Sequence, residues 1–386
     1  MYHLRVMMWM SRWYLCKYMK VAYLIGSLNR GGAETLLLDI FRKADEASFE
    51  MMLIHRKGGM YEQEFERVTP KHYKIAPNKW HQLSYLRQLR RLFKDEHVTL
   101  IHAFYRLDAV YAWIATIGMR IPIVITFHGY KGSECGWRRG LLYRLVMQIA
   151  KKLCFVSGEQ MRSYERRYGE IVRRKGIVLY NGLNFDKFEL TSKETNELKS
   201  GRRVKLCMVG NFNSVRSQIV VAKALKLIDN RKELKDKFDF YFIGGRYKGE
   251  EFYYDQCVEF CKEHRLNNVH FLGVRDDIPV LLKTMDGFVY SSNNDTFGIA
   301  VIEAIAMALP IVVNDHPVMK EVCGEANDGV RYFRTEDVGS AADTIVAMVT
   351  NMEQSKQAAK ANAVMVHNKY SIHTHIQNVY SIYQLL

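Results

Sequence analysis

Residues 291–316 read Ser-Ser-Asn-Asn-Asp-Thr-Phe-Gly-Ile-Ala-Val-Ile-Glu-Ala-Ile-Ala-Met-Ala-Leu-Pro-Ile-Val-Val-Asn-Asp-His. One carboxylate, Asp295, lies in a polar loop. A second, Glu303, follows eight residues later in an almost wholly apolar helix. From Ile299 to Leu309, Glu303 is the only polar side chain. A buried carboxylate without partners costs several kcal/mol, so Glu303 is expected to meet one, and a ligand with hydroxyls fits. The loop Thr296-Phe297-Gly298 offers backbone N–H groups at the helix start, where anionic oxygens bind well. Carboxylates for hydroxyls beside amides for phosphate suit a nucleotide sugar. The plainer alternative is a core helix whose one charge pairs with an arginine elsewhere.

Outward from this stretch, short apolar runs alternate with longer amphipathic segments, the pattern of parallel α/β sheets. Strands are expected near 20–26, 50–55, 98–103, 122–127, 152–156 and 177–180, then near 205–209, 239–243, 268–271, 286–290 and 311–314. Residues 184–204 are mostly polar and charged, with Ser-Gly near their end, and read as a linker. The α/β reading is therefore two Rossmann-like domains, 19–183 and 205–370, with parallel sheets facing a central cleft. A last helix runs 371–386. Ligands in such sheets bind beyond the carboxyl ends of the strands.

The first expected strand runs into Ile25-Gly26-Ser27-Leu28-Asn29-Arg30-Gly31-Gly32-Ala33-Glu34 before an apolar helix. Gly31 and Gly32 let backbone approach a pyrophosphate. The loop nearly spells a P-loop, but Gly32 stands where Lys belongs and Ala33 where Ser or Thr belongs, so an ATPase is rejected. It is not G-x-G-x-x-G either, which argues against a dehydrogenase. Further along come Val209-Gly210-Asn211-Phe212-Asn213-Ser214-Val215-Arg216, then Phe242-Ile243-Gly244-Gly245, and Val269-His270-Phe271-Leu272-Gly273-Val274-Arg275-Asp276-Asp277. The strand Ile123-Val124-Ile125-Thr126-Phe127 ends in His128-Gly129, and Leu179-Tyr180-Asn181-Gly182 precedes the linker. By itself each reads as an ordinary turn, strand end or surface side chain.

In this order the segments resemble the retaining glycosyltransferases of family 4, which have the GT-B architecture. The family pattern is Glu-Gly-Phe-Gly, a second Glu eight residues after the first, then Gly-x-Pro-Val-Val. Here it reads Asp295-Thr296-Phe297-Gly298, Glu303, Ala308-Leu309-Pro310-Ile311-Val312-Val313. The resemblance spans residue 20 to about 380. It implies that Arg216 takes the place of a diphosphate-binding Lys, as a bidentate guanidinium can, while Asn211 replaces a second cation. It implies Glu303 on the ribose, and Thr296, Phe297 and Gly298 on phosphate or sugar. Gly31 and Gly32 would lie against the donor diphosphate and acceptor, and backbone near Val274 and Arg275 against the base. Asp295 and His128 would contact donor-sugar hydroxyls as the catalytic pair. His102 fits a family strand with a less defined role, and helix 371–386 is expected to cross back to the first domain. The implied reaction needs no metal and no cofactor beyond the nucleotide-diphosphate sugar donor. The implied acceptor is a glycan or lipid-linked hydroxyl, in cell-surface polysaccharide or glycolipid synthesis. Alternatives are a nucleotide-sugar 2-epimerase of the same fold and a non-catalytic sugar- or lipid-binding protein.

Length and composition agree with this organisation. The chain has 386 residues, 48% of them hydrophobic, enough for two substantial cores. No apolar run reaches about 18 residues, so no transmembrane helix is expected. Net charge is +15, from 56 basic and 41 acidic residues. Residues 131–176 hold twelve Lys/Arg against four acids, an excess expected to meet an anionic membrane surface. A nucleic-acid partner is not expected, since that needs aromatics interleaved with the charges on one face. Seven scattered cysteines, none in a C-x-x-C pair, fit a reducing compartment and no metal site. The expected location is cytoplasmic, peripheral on the inner face of the plasma membrane. Residues 1–18 read as an extension ahead of an ordinary start at Met19.

Overall fold

The computed structural model describes residues 19–77, 82–188, 203–231 and 237–386. The extension at 1–18 and residues 189–202 of the expected linker lie outside them. The chain forms two compact units. One contains the described residues up to Leu183 together with Ile372–Leu386, and the other runs Asn184–Ser371.

The first unit is built on seven strands: β1 (Lys20–Ser27), β2 (Glu50–Lys57), β3 (His72–Lys74), β4 (Leu100–Ala103), β5 (Ile123–Phe127), β6 (Lys152–Phe155) and β7 (Gly176–Val178). Their order is β3-β2-β1-β4-β5-β6-β7, and every neighbouring pair is parallel. A parallel sheet is covered on both faces, so its strands are apolar almost throughout. Along β1 the side chains still sort by parity. Ala22 and Leu24 join one core with Tyr85, Leu89 and Phe93 of the helix Gln82–Asp95. Val21, Tyr23 and Ile25 join the other, with Leu37 and Phe41 of the helix Gly32–Arg42 and with Ile372, Ile376, Val379, Ile382 and Tyr383 of the helix Ile372–Tyr383. The last helix of the chain is thus one wall of the first unit.

The second unit has six strands: β8 (Val204–Val209), β9 (Phe238–Ile243), β10 (Val269–Phe271), β11 (Gly287–Tyr290), β12 (Ile311–Asn314) and β13 (Val330–Phe333). Their order is β10-β9-β8-β11-β12-β13, again all parallel. In each sheet the strand order reverses once, between β1 and β4 and between β8 and β11. Loops leaving those strands diverge and open the crevice where doubly wound sheets take their ligands.

Two strands escape the sequence pattern, β3 and β13. Both are edge strands of three or four residues. His72-Tyr73-Lys74 carries the polar residues that protect an open edge, so it lacks the apolar run that marks inner strands. The start of the expected linker is packed. Phe185–Phe188 form a 3-10 turn with both phenylalanines buried, and Phe185 lies 4.2 Å from the His367 ring. Among the described residues no helix is long and apolar enough to cross a membrane.

Candidate functional site

In the second unit the reversal between β8 and β11 brings two loops together. The Ser217 N–H donates to the Ser291 carbonyl at 3.1 Å, and the Asn293 N–H to the Val215 carbonyl at 3.0 Å. The Ser292 hydroxyl donates to the same Val215 carbonyl at 2.9 Å. Asn314, at the end of β12, clamps the second loop: it accepts from the Ser292 N–H at 3.0 Å and donates to the Ser292 carbonyl at 2.9 Å. Asn213 accepts the N–H groups of Val215 and Arg216, at 3.1 and 3.2 Å, and so turns the first loop.

These laced loops set Arg216 against Asp295, two residues read from the sequence as separate contacts. Arg216 Nη1 donates to Asp295 Oδ2. The Tyr290 hydroxyl donates to the same oxygen at 2.5 Å, and the guanidinium lies 5.1 Å over the Tyr290 ring. Among the described residues Asp295 Oδ1 receives only the Phe297 N–H, at 3.4 Å. The Asp295 side chain is 13% exposed and that of Arg216 22%. Burial alone raises a carboxyl, but the Arg216 charge, the Tyr290 hydroxyl and the Phe297 N–H outweigh it and hold Asp295 below the ordinary range. Burial also keeps the Tyr290 hydroxyl protonated. Gly210 makes room for the arginine, because a Cβ there would stand 2.9 Å from Arg216 Nε. That buried Nε has no hydrogen-bond partner among the described residues.

Gly298, at φ 81°, caps the helix Ile299–Ala306 in a left-handed conformation that glycine adopts without penalty. Glu303 sits in that helix and is half-buried, not engulfed as the apolar run suggested. The Phe297 ring is core, edge-on to Tyr370 at 5.3 Å, so only its backbone is placed for a ligand. Thr296 is half-buried. Asn211, where the family has a cation, instead accepts the Gly245 N–H at 3.1 Å and steadies the turn after β9. Val274 is exposed, and Arg275 pairs through two bonds with Asp277 at the surface.

In the first unit Gly31 is the residue before the helix Gly32–Arg42, and its carbonyl accepts the Thr35 N–H at 2.9 Å. Beside it Glu34 is buried and accepts the Tyr105 hydroxyl at 2.6 Å. The reversal between β1 and β4 thus holds a carboxylate that the sequence placed in the turn before the helix and gave no role of its own, whereas it lies in the first turn of the helix. His128, just past β5, stacks on Phe104 at 5.1 Å. Burial, with His375 nearby, lowers its pKa to about 3, so the ring is neutral at pH 7. Its loop is held by the helix Gly158–Tyr168: Gln160 donates to the carbonyls of Phe127 and Gly129, and Tyr164 donates to that of Gly129.

His102 has a structural partner set. Its Nδ1 meets the Tyr383 hydroxyl at 2.5 Å, and its Nε2 meets Thr126 Oγ1 at 2.7 Å. Burial lowers its pKa to about 3, and His128 and His375 add to the shift. It ties the last helix to the sheet. The Asn181-Gly182 segment does the same work, since His375 Nδ1 binds the Tyr180 carbonyl at 2.7 Å and the Ile372 N–H donates to the Leu183 carbonyl.

Part of the positive charge of 131–176 is already answered. Arg162 and Arg166 pair with Glu159, and Arg173 pairs with Glu165 and Glu170. Lys175 caps the helix Trp137–Ile149 through three carbonyls. Facing outward on that helix are Trp137, 70% exposed, Leu141, 59% exposed, Arg138, Arg139, Arg144 and, near its end, Gln148.

Comparison with known proteins bears on both units. Residues 30–187 match the family described as Glycosyltransferase Family 4, and residues 191–365 match Glycosyl transferases group 1. The putative glycosyltransferase EpsF of Bacillus subtilis is 24% identical over 84% of this chain and 86% of its own. A Campylobacter jejuni relative, N,N'-diacetylbacillosaminyl-diphospho-undecaprenol alpha-1,3-N-acetylgalactosaminyltransferase, is 25% identical over 77% of this chain and 78% of its own. Anabaena HepE, solved with UDP-glucose, superposes with a TM-score of 0.81 at 18% identity, covering 95% of this chain and all of that one. The shared architecture is GT-B.

Proposed function

The chain belongs to glycosyltransferase family 4, and from that premise we propose that it transfers a hexosyl group from a nucleotide-diphosphate sugar to an acceptor hydroxyl with retention at the anomeric carbon. The observation that carries this is the meeting of Arg216 and Asp295 at the β8/β11 reversal, beside the helix that bears Glu303. Arg216 is assigned to the diphosphate and Glu303 to the ribose. The backbone of Thr296, Phe297 and Gly298 is assigned to phosphate or sugar, that near Val274 and Arg275 to the base, and Gly31 and Gly32 to the diphosphate and acceptor. Asp295 and the neutral His128 each take a sugar hydroxyl. In the transfer step the acceptor oxygen bonds to the anomeric carbon on the face the diphosphate leaves. The bond from that carbon to the phosphate oxygen breaks, and the acceptor proton passes to the departing phosphate. Catalysis then rests on positioning and on stabilising the leaving charge. No Asp-x-Asp pair stands beside the phosphate loops, so we assign no metal. Nucleotide sugars screened for acceptor-dependent turnover in excess EDTA should reveal a donor, and NMR of its product should give the same anomeric configuration. Loss of turnover in EDTA, restored by manganese or magnesium, contradicts the metal assignment. An isomerised donor made without acceptor replaces the transferase reading by the epimerase one.

The acceptor class and the membrane belong to the same proposal. The Campylobacter relative is named for a diphospho-undecaprenol acceptor, and a lipid-linked acceptor requires work at a bilayer. The outward Trp137 and Leu141, one helical turn apart and flanked by Arg138, Arg139 and Arg144, have the composition of an interfacial helix face. Each basic residue at an anionic surface contributes about 1 kcal/mol. Replacing the three arginines by Gln should therefore weaken vesicle binding roughly a hundredfold. Co-sedimentation should rise with anionic lipid and fall with salt. Equal binding to neutral and anionic vesicles refutes this surface.

A further inference from the structure

We infer that Arg216, Asp295 and Tyr290 act as one length-matched unit, in which Tyr290 and one oxygen of Asp295 position the Arg216 guanidinium for an anionic diphosphate. The inference rests on the donor site proposed above and extends it to a residue that no motif marks.

The argument is an accounting of donors and acceptors. Asp295 Oδ2 takes both the Arg216 Nη1 and the Tyr290 hydroxyl. Its Oδ1 has, among the described residues, only the long 3.4 Å contact to the Phe297 N–H, so that oxygen keeps capacity for a ligand hydroxyl. Arg216 spends one of five N–H donors on the carboxylate. Its Tyr290 contact is through the ring face, 5.1 Å away, which orients a cation without using a donor. Tyr290 ends β11 and is fully buried, so its hydroxyl is fixed by the sheet. The carboxylate is thereby fixed, and through it the arginine.

Reach is what makes the unit matched. Two of the departures from the family pattern, Asp for Glu and Arg in the Lys place, fall on the two ends of this one ion pair. Aspartate is one methylene shorter than glutamate, and arginine extends further than lysine, so each substitution offsets the other. Restoring the family residue at one end alone must then misplace the cation, through a longer carboxylate arm or a shorter basic side chain.

The test is a cycle of wild type, Asp295→Glu, Arg216→Lys and the double variant, with Tyr290→Phe beside them. Each full-length protein is titrated with inorganic pyrophosphate by calorimetry and unfolded in urea. Each single change is expected to weaken pyrophosphate about tenfold, and the double variant to return within about threefold of wild type, the non-additivity of contacting residues. Tyr290→Phe should weaken it about threefold, since only a positioning hydrogen bond is lost. If a charged single variant does not fold, Tyr290→Phe carries the test alone, since it keeps both charges and removes only the bond to Asp295, and an unchanged pyrophosphate affinity there overturns the inference. Additive losses, an Asp295→Glu protein that binds like wild type, or a wild type that does not bind pyrophosphate each overturn the inference. A coupled cycle in a protein that turns over no nucleotide sugar instead overturns the transferase reading and leaves this one standing.

Discussion

An Asp295→Asn protein is expected to lose transfer by about two to three orders of magnitude while remaining folded at 25 °C. The asparagine side chain keeps a carbonyl for the Tyr290 hydroxyl but removes the charge opposite Arg216. Breaking a buried pair on one side costs about 3–5 kcal/mol, and this pair is partly exposed, 13% and 22% at the two side chains, so the loss should be nearer 2 kcal/mol. The catalytic loss is larger because it adds to the misplaced guanidinium a lost contact to the reacting sugar, felt mainly in turnover. Steady-state kinetics with the identified donor, alongside urea unfolding, separates the two effects. A stable variant with wild-type turnover removes Asp295 from the catalytic assignment. The pH dependence follows from the same pair. The folded Asp295 titrates below its ordinary range, so the stability it contributes is present above the unfolded carboxylate pKa and lost as pH falls through the lowered value. Between pH 5 and 8 its charge should not limit activity.

Deleting Ile372–Leu386 is expected to unfold the first unit. Five of the apolar side chains removed, Ile372, Ile376, Val379, Ile382 and Tyr383, belong to the core on one face of its sheet. At about 1.5–3 kcal/mol for each buried side chain, their loss is comparable to the whole stability of a domain, about 5–15 kcal/mol. The deletion also strips His102 and Tyr23 of the Tyr383 hydroxyl. Tyr383→Phe isolates that second part and should cost about 1–3 kcal/mol. Near-ultraviolet circular dichroism and the unfolding midpoint check both. A truncated chain with native dichroism and an unchanged midpoint contradicts the packing described for this helix.

What could be read from the sequence was whatever sits close together along it. The inner strands announce themselves because a doubly covered parallel sheet needs continuous apolar runs, as in β1, β5 and β12. Asp295, Gly298 and Glu303 share one loop and helix, so their spacing was already meaningful, and the left-handed Gly298 is what that spacing needs. Edge strands β3 and β13 were not legible, because half-exposed pairing places little demand on side chains.

Pairings between distant residues lay with the tertiary structure. Arg216 and Asp295 are 79 residues apart, and no local pattern says that they share a proton-bonding oxygen with Tyr290. His102 and Tyr383 are 281 apart, and only the packed helix gives a histidine of undefined role its place in the core. The acids that cancel part of the 131–176 charge were visible as letters, but which arginines they answer depends on helix faces. The physical division follows from range. Backbone conformation and hydrophobic periodicity are set by near neighbours. Burial, ion pairing and the protonation states that follow from them depend on what the fold brings within a few ångströms, and that is decided only when the sheets are assembled.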